Sequence, residues 1–231
     1  MNPTALIIHD RPLAHLISVP AAGPAGGLRP VLCFLHGLRE AAPMPIQQAL
    51  TLHGPLNPDN LRRVADQFVI VAPQLPAPGG DVWRQRAAEI REIVEAARAQ
   101  YHGDPDRTYL TGFSYGGNGV FDIAIVEPDL WAALWSVGPT RPPDRDLPCP
   151  LWLCLGEASR GKCEDFIRAI NNLREINSGE AIPKDDFAYE DRGQDHVGTA
   201  RVAYREDRIY GWLLNRSQRR KYQNRPHDHK N

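Results

Sequence analysis

The sequence has few cysteines and no long hydrophobic run, and each absence excludes a class of protein. Its four cysteines, Cys33, Cys149, Cys154 and Cys163, form no C-x-x-C pair, so a zinc site is not expected. Cys33 and Cys154 lie in apolar strand-like runs, where reduced, buried thiols favour a cytoplasmic location. No segment approaches the roughly 20 apolar residues of a membrane helix. The first ten residues also lack the basic start of a secretory signal.

Strong net charge is also missing, which argues against nucleic acid or a membrane surface as a partner. The 231 residues carry a formal net charge of −1. The exception is the segment 215–231, with a net charge of +5 and no apolar core positions. A chain of this length buries one sizeable core. We therefore expect a single domain over residues 1–214 and a basic, disordered tail over 215–231.

Apolar runs alternate with amphipathic segments along most of the chain. Residues 4–9 and 13–19 predict an antiparallel hairpin at a sheet edge. Further strands are expected at residues 31–35, 68–72, 108–111, 132–137, 151–155 and 186–190. Helices are expected at residues 83–101, 117–126, 163–176 and 200–214, with a short one near 46–50. The alternation predicts a mainly parallel α/β sheet with helices on both faces and ligand chemistry at the C-terminal ends of its strands.

The stretch Gly112-Phe113-Ser114-Tyr115-Gly116 stands between a predicted strand and a predicted helix. A serine flanked by glycines at such a turn is typical of a nucleophile elbow. The small residues allow a sharp turn that presents the serine hydroxyl above the sheet edge. The backbone N–H of the next residue, Tyr115, then points toward a developing oxyanion.

Several segments in the same order along the chain make the sequence similar to the α/β-hydrolases. The closest resemblance is to small esterases and predicted peptidases related to polyhydroxybutyrate depolymerases and feruloyl esterases. The segments are His36-Gly37-Leu38-Arg39-Glu40, Leu52-His53-Gly54-Pro55, Val71-Ala72-Pro73-Gln74, residues 106–117 with the elbow, Asp195-His196 and Trp212-Leu213-Leu214. The resemblance implies a nucleophile at Ser114, a general base at His196 and an oxyanion hole made by the N–H groups of Leu38 and Tyr115.

The position of His196 suits the base of this fold, because it lies in a polar loop after the last strand and before the last helix. The acid partner is harder to assign. The resembled family usually has an aspartate at the position of Ser159, so Glu157 becomes the first choice. The other carboxylates that we consider are Glu164, Asp165, Asp144 and Asp146. Asp195 adjoins His196 in sequence and is badly placed to orient its ring.

Five residues are candidates for contact with the substrate: His36, Gly37, Arg39, Trp83 and Trp135. His36 and Gly37 would shape the oxyanion loop. Arg39 could bind a substrate carboxylate, or pair with Glu40 or solvent. Each tryptophan could line an acyl pocket, or belong to the core. The proline-rich connector at residues 139–150 leaves no room for a large lid domain, so we expect an open site.

These features predict a serine hydrolase that cleaves a small carboxylic ester or thioester through an acyl-enzyme. Such chemistry requires no metal and no organic cofactor. The same residues would serve a peptidase, a thioesterase or an acyltransferase. The alternative that is not an enzyme is a binding module with this fold that has lost the acid of the catalytic triad. The sequence does not determine the oligomeric state, and a homodimer is among the alternatives.

Overall fold

The structure is a computed structural model, and it describes residues 6–21, 27–79, 82–157, 163–178, 187–191 and 193–218. Within them, eight strands form one mixed sheet in the order β1-β2-β4-β3-β5-β6-β7-β8. The strands are β1 Leu6–His9, β2 His15–Ser18, β3 Arg29–Leu35, β4 Val69–Pro73, β5 Gly103–Phe113, β6 Ala133–Val137, β7 Leu151–Leu155 and β8 Phe187–Asp191.

Six of the strands run parallel, and the N-terminal hairpin runs against them. Neighbouring strands from β4 through β3 to β8 pair in parallel. β1 and β2 pair antiparallel with each other, and β2 pairs antiparallel with β4. The predicted edge hairpin and the mainly parallel sheet are thus confirmed. The inner parallel strands β3, β4, β6 and β7 are almost wholly buried, which explains why they read as continuous apolar runs in the sequence.

Eight helices surround the sheet in the described part of the chain, together with a 3₁₀ turn at Leu38–Glu40. They are α1 Ile46–Leu52, α2 Pro58–Val64, α3 Val82–Gln85, α4 Ala87–Tyr101, α5 Tyr115–Val126, α6 Cys163–Ser178, α7 His196–Ala203 and α8 Asp207–Leu214. The single helix predicted over residues 200–214 was wrong. The chain leaves helical geometry at Glu206, which has an extended backbone and begins α8.

Helix α2 was not among the helices predicted from the sequence. The side chain of Asn57 accepts a hydrogen bond from the N–H of Asp59, and Pro58 occupies the first helical position. Asparagine before proline is a recognised helix start, because the proline has no N–H to leave unpaired and the asparagine oxygen pairs with the next donor.

Alternating strand residues divide the core into two layers on opposite faces of the sheet. Phe34 and Trp135 pack with α7 and α8 on one face. Leu35 and Leu134 pack with α4, α5 and α6 on the other. Both faces are covered, so the loops at the C-terminal strand ends are the open region where a ligand can bind.

Residues 215–218, the start of the predicted tail, lie against the folded domain. The Tyr109 hydroxyl donates to the carbonyl oxygen of Arg216 at 2.9 Å, and the Arg216 guanidinium lies 4.7 Å from the Trp212 ring. The Gln218 amide donates to the carbonyl oxygen of Asp129 at 2.7 Å. Residues 219–231 lie outside the described residues. In the described ranges, no helix combines the length and the apolar character that a membrane crossing requires.

Candidate active site

Ser114 occupies a sharp turn between β5 and α5, with φ 58° and ψ −116°. A positive φ is rare for a residue with a side chain and marks local strain. The turn is held by the Ser114 N–H, which donates to the carbonyl oxygen of Val137 at 2.8 Å. The hydroxyl is therefore presented at the C-terminal end of the central strand, as the elbow pattern predicts.

The two glycines of the motif are needed because backbone segments cross very closely. A Cβ on Gly112 would lie 2.3 Å from the carbonyl oxygen of Gly116. A Cβ on Gly116 would lie 2.0 Å from the carbonyl oxygen of Leu35. Neither contact can be relieved by rotating a side chain, since both obstacles are main-chain atoms. The close approach brings the start of α5 against the end of β3.

His196 reaches Ser114 from the far end of the chain. Its Nε2 lies 2.7 Å from the Ser114 Oγ, which is hydrogen-bond distance. His196 is the first residue of α7, and Asp195 caps that helix by accepting a hydrogen bond from the Gly198 N–H at 2.5 Å. The imidazole ring packs on Phe113, with 4.9 Å between ring centroids. The structure thus brings together the predicted nucleophile and base.

No carboxylate completes a triad in the part of the chain that the structure describes. Among the described residues, the His196 ring has a hydrogen bond to Ser114 and none that joins its Nδ1 to a carboxylate. Burial lowers the pKa of His196, and the negative charge of Asp195 opposes that shift. The imidazole is therefore held neutral, the form in which it can accept a proton from a serine.

The structure does not bring Glu157 to His196. The Glu157 side chain is exposed, and its backbone N–H donates to the carbonyl oxygen of Gln194. Asp144 pairs with Arg84 at 3.1 Å, and the Asp165 side chain is 72% exposed near Arg168. The other carboxylates considered, Glu164 and Asp146, form no hydrogen bond with the ring, and Ser159 lies outside the described residues.

His36 fixes the shape of the loop that follows β3. Its Nε2 accepts a hydrogen bond from the Leu75 N–H at 2.9 Å, so the ring proton is on Nδ1, which donates to the carbonyl oxygen of Gly37 at 2.5 Å. Burial lowers the pKa of His36 to about 4 and keeps the ring neutral. His36 is 1% exposed, so it shapes the loop and offers little surface to a substrate.

Gln74 also holds this loop, a role that sequence reasoning missed. Its buried side-chain amide donates to the carbonyl oxygens of Glu40 and Met44, at 3.0 and 2.8 Å. The Ala42 N–H donates to the carbonyl oxygen of Leu75 at 2.9 Å. A signal was present, because Gln74 directly follows a buried strand that ends in proline. A polar side chain at the C-terminal end of a parallel strand is expected to contact the neighbouring functional loops.

Leu38 and Tyr115, the predicted oxyanion donors, each begin a helical segment. Leu38 is the first residue of the 3₁₀ turn, and Tyr115 is the first residue of α5. The first N–H groups of a helix have no acceptor in their own helix and carry partial positive charge. A Cβ on Gly37 would lie 3.6 Å from the Ser114 Cβ, so the loop that carries Leu38 borders the nucleophile.

The two tryptophans lie in the core, which corrects the prediction of a pocket role. Trp135 is 0% exposed and packs on Tyr204, with 4.6 Å between ring centroids. Trp83 is 1% exposed and lies behind His36, 5.0 Å from its ring. Neither indole has a surface that a substrate could reach. Arg39 is exposed beside the oxyanion loop, where contact with a substrate stays a prediction.

A cleft opens beside the site, between α2 and α7. His53, Asn60, Ala200 and Arg201 are among the residues that line it. His53 connects it to the catalytic residues, because its ring packs on Phe113 at 5.0 Å between centroids. In the described ranges, no group of three or more histidine, cysteine, aspartate or glutamate side chains is arranged to hold a metal ion.

Comparison with solved structures identifies the fold. No family model matches the sequence, and no curated protein matches it. Among solved structures, a thermostable esterase superposes with a TM-score of 0.67 at 19% identity, covering 93% of this chain. The chain has the α/β-hydrolase fold. It spans only 63% of that esterase's length.

Two further neighbours with this fold match over nearly their whole length, and both are from Staphylococcus aureus. An S-formylglutathione hydrolase has a TM-score of 0.65 at 14% identity, covering 92% of this chain and 96% of its own. A fluorophosphonate-binding serine hydrolase has a TM-score of 0.66 at 15% identity, covering 92% and 99%. At these identities the likeness establishes the fold, and the chemistry must be argued from this chain's own residues.

Proposed function

We propose that the protein is a serine hydrolase that cleaves a small carboxylic ester or thioester through an acyl-enzyme. The observation that carries this proposal is the 2.7 Å contact between the Ser114 Oγ and the His196 Nε2. It occurs at a strained elbow directly before α5, and the loop that leads to the 3₁₀ turn borders Ser114. The esterase and serine hydrolase neighbours support the same chemistry.

The reaction would proceed in two steps. The Ser114 Oγ attacks the substrate carbonyl carbon while its proton passes to the His196 Nε2. The oxyanion that forms is stabilised by the N–H groups of Leu38 and Tyr115. His196 then protonates the leaving alcohol or thiol, and an acyl ester remains on Ser114. Water attacks this ester with His196 again as the base, which releases the acid and restores the hydroxyl.

The loop over the site favours a small acyl group. Residues 138–150 contain no helix or strand, so the described chain has no cap at this position. The cleft beside His53 is small and is lined by both polar and apolar residues, so it offers little room for a long acyl chain. The cytoplasmic location stays a prediction from the cysteine pattern.

One observation favours the rival reading of a non-catalytic module: the described residues place no carboxylate on the His196 Nδ1. The test is reaction with a fluorophosphonate probe together with turnover of p-nitrophenyl acetate. We expect rapid stoichiometric labelling of the wild-type protein, and loss of both labelling and turnover in Ser114→Ala. Ser217→Ala, on the far side of the fold, serves as the matched control and should react like the wild type.

The proposal fails if the folded wild-type protein neither labels nor turns over ester, or if Ser114→Ala retains wild-type turnover. The first result would favour the binding module, because an unactivated serine reacts slowly with the probe. The second would place the chemistry on another residue.

A further inference from the structure

Glu40 is a buried carboxylate at the end of the 3₁₀ turn that begins at Leu38. It is 6% exposed, and its Oε2 is buried with no hydrogen-bond partner in the described part of the molecule. Its Oε1 lies 3.7 Å from the His53 Nε2, slightly beyond hydrogen-bond distance. Buried carboxyl groups are costly unless they are paired or neutral, so this placement calls for an explanation.

The carboxyl group borders the nucleophile across a single glycine. A Cβ on Gly37 would lie 2.6 Å from the Glu40 Oε2 and 3.6 Å from the Ser114 Cβ. Glu40 therefore occupies the space beneath the loop that carries the Leu38 N–H. A negative charge at this place would oppose the oxyanion that the loop is built to stabilise.

The surroundings of Glu40 and His53 favour the uncharged form of each side chain. Burial raises the pKa of Glu40, and this is the largest effect. The backbone N–H groups of Glu40 and Gly37 and the charge of Arg39 on the same turn act in the opposite direction. Burial lowers the pKa of His53, and electrostatic repulsion from His196, whenever that ring is protonated, and from Arg201 on α7 lowers it further. Burial holds the neighbouring His36 neutral, and its Nε2 already accepts a hydrogen bond from the Leu75 N–H.

We propose that Glu40 and His53 hold one proton between them and act as a positioning pair that keeps the oxyanion loop electrically neutral. With one proton the pair is neutral wherever the proton resides. Loss of that proton leaves a net negative charge beside Ser114, which weakens transition-state stabilisation. The titration belongs to the pair and not to either residue alone. This inference rests on the proposed function, because it assumes an oxyanion at Ser114.

The pair predicts an alkaline limb in the pH dependence of kcat, in addition to the acid limb that His196 produces. The rate falls as pH rises through the value at which the pair loses its proton. Glu40→Gln is nearly isosteric and cannot ionise, so this limb should disappear while kcat near the optimum stays within about threefold. His53→Gln leaves Glu40 to hold the proton alone, so the limb should move to lower pH.

The experiment measures kcat and KM for p-nitrophenyl acetate across pH in the wild type, Glu40→Gln and His53→Gln. Glu95→Gln removes a surface carboxyl on α4 and should keep the wild-type profile. We expect KM to change little, because the pair acts on the transition state. The rate of fluorophosphonate labelling provides a second readout of the same charge effect, and far-UV circular dichroism verifies the fold of each variant.

The inference is overturned if the wild type has no alkaline limb, or if folded Glu40→Gln keeps one. Should Glu40→Gln fail to fold, an unshifted limb in His53→Gln overturns it equally. These results are separable from failure of the proposed function. In that case the wild-type protein would not label at all, whereas here Ser114 would label and only the pH profiles would disagree.

Discussion

The His196 Nε2 lies 2.7 Å from the Ser114 Oγ, although 82 residues separate the two along the chain. Two independent pieces of local structure produce this contact. The strained elbow sets the direction of the hydroxyl, and the Asp195 cap sets the start of the helix that carries the imidazole. Because the contact joins the proposed nucleophile and base without a described acid, the site can be tested as a dyad.

Changing Glu157 to glutamine should leave kcat within about threefold of the wild type, as for most surface substitutions. The reason is that the Glu157 side chain is exposed and does not contact His196. Loss of a true triad acid costs roughly 10⁴-fold in kcat. Steady-state hydrolysis of p-nitrophenyl acetate distinguishes the two values. A thousandfold loss in Glu157→Gln would mean that this loop reaches the ring during turnover.

The acid limb of kcat/KM should have its inflection below pH 6.5, the ordinary pKa of histidine. Burial lowers the pKa of His196, and the neutral ring is the active form. Activity is therefore retained as pH falls until that lowered value is reached, and is lost below it. Asp195→Asn removes the charge that opposes the shift while keeping a good helix cap, so the inflection should move lower still. Rates measured from about pH 4 to 9 test this, and an inflection above 6.5 would contradict it.

Gly116→Ala should destabilise the protein by at least about 3 kcal/mol or prevent folding, because the new Cβ meets main-chain oxygens. The obstacles are the carbonyl oxygens of Leu35 at 2.0 Å and His36 at 2.6 Å. Gly211 in α8 is the matched control, since no atom lies within 4 Å of its added Cβ. Gly211→Ala should raise the free energy of unfolding by about 0.5–1 kcal/mol. Urea unfolding measures both, and equal stability of the two variants would refute the steric account.

Replacing Trp135 with alanine should lower the free energy of unfolding by about 3–5 kcal/mol. The indole is 0% exposed and packs on Tyr204 and Tyr210. Since it has no surface facing the substrate, KM should not change in whatever fraction remains folded. Trp135→Phe provides a milder variant if the alanine protein does not fold. A several-fold rise in KM with unchanged stability would instead assign Trp135 to a pocket.

The sequence predicted those parts of the fold and site that local patterns encode. The apolar runs of the parallel strands and the glycines around Ser114 are such patterns, because burial and backbone clearance act over a few residues. The pocket role of Trp135 failed because a strand residue can face either the core or a pocket, and only the packing of α7 and α8 decides which. That of Trp83 failed because α3 turns the indole inward, against His36.

The missed residues depend on contacts between distant segments. Gln74 lies 34 residues from Glu40, and nothing in its own neighbourhood reveals that its amide meets the carbonyl oxygen of Glu40. The Glu40–His53 pair also depends on a tertiary contact, because the two side chains meet only if α1 ends next to the 3₁₀ turn that carries Glu40. Side chains that position other loops are visible only when the tertiary arrangement is known.

Gln74 also joins the oxyanion loop to the outermost part of the sheet. Its backbone N–H donates to the carbonyl oxygen of Ala14 at 2.7 Å, while its side chain supports Glu40 from the other direction. Removal of the N-terminal hairpin would therefore take away the backbone contact that holds Gln74, and with it part of the support of the oxyanion loop. An engineered minimal version should keep β1 and β2, even though both lie at the margin of the sheet.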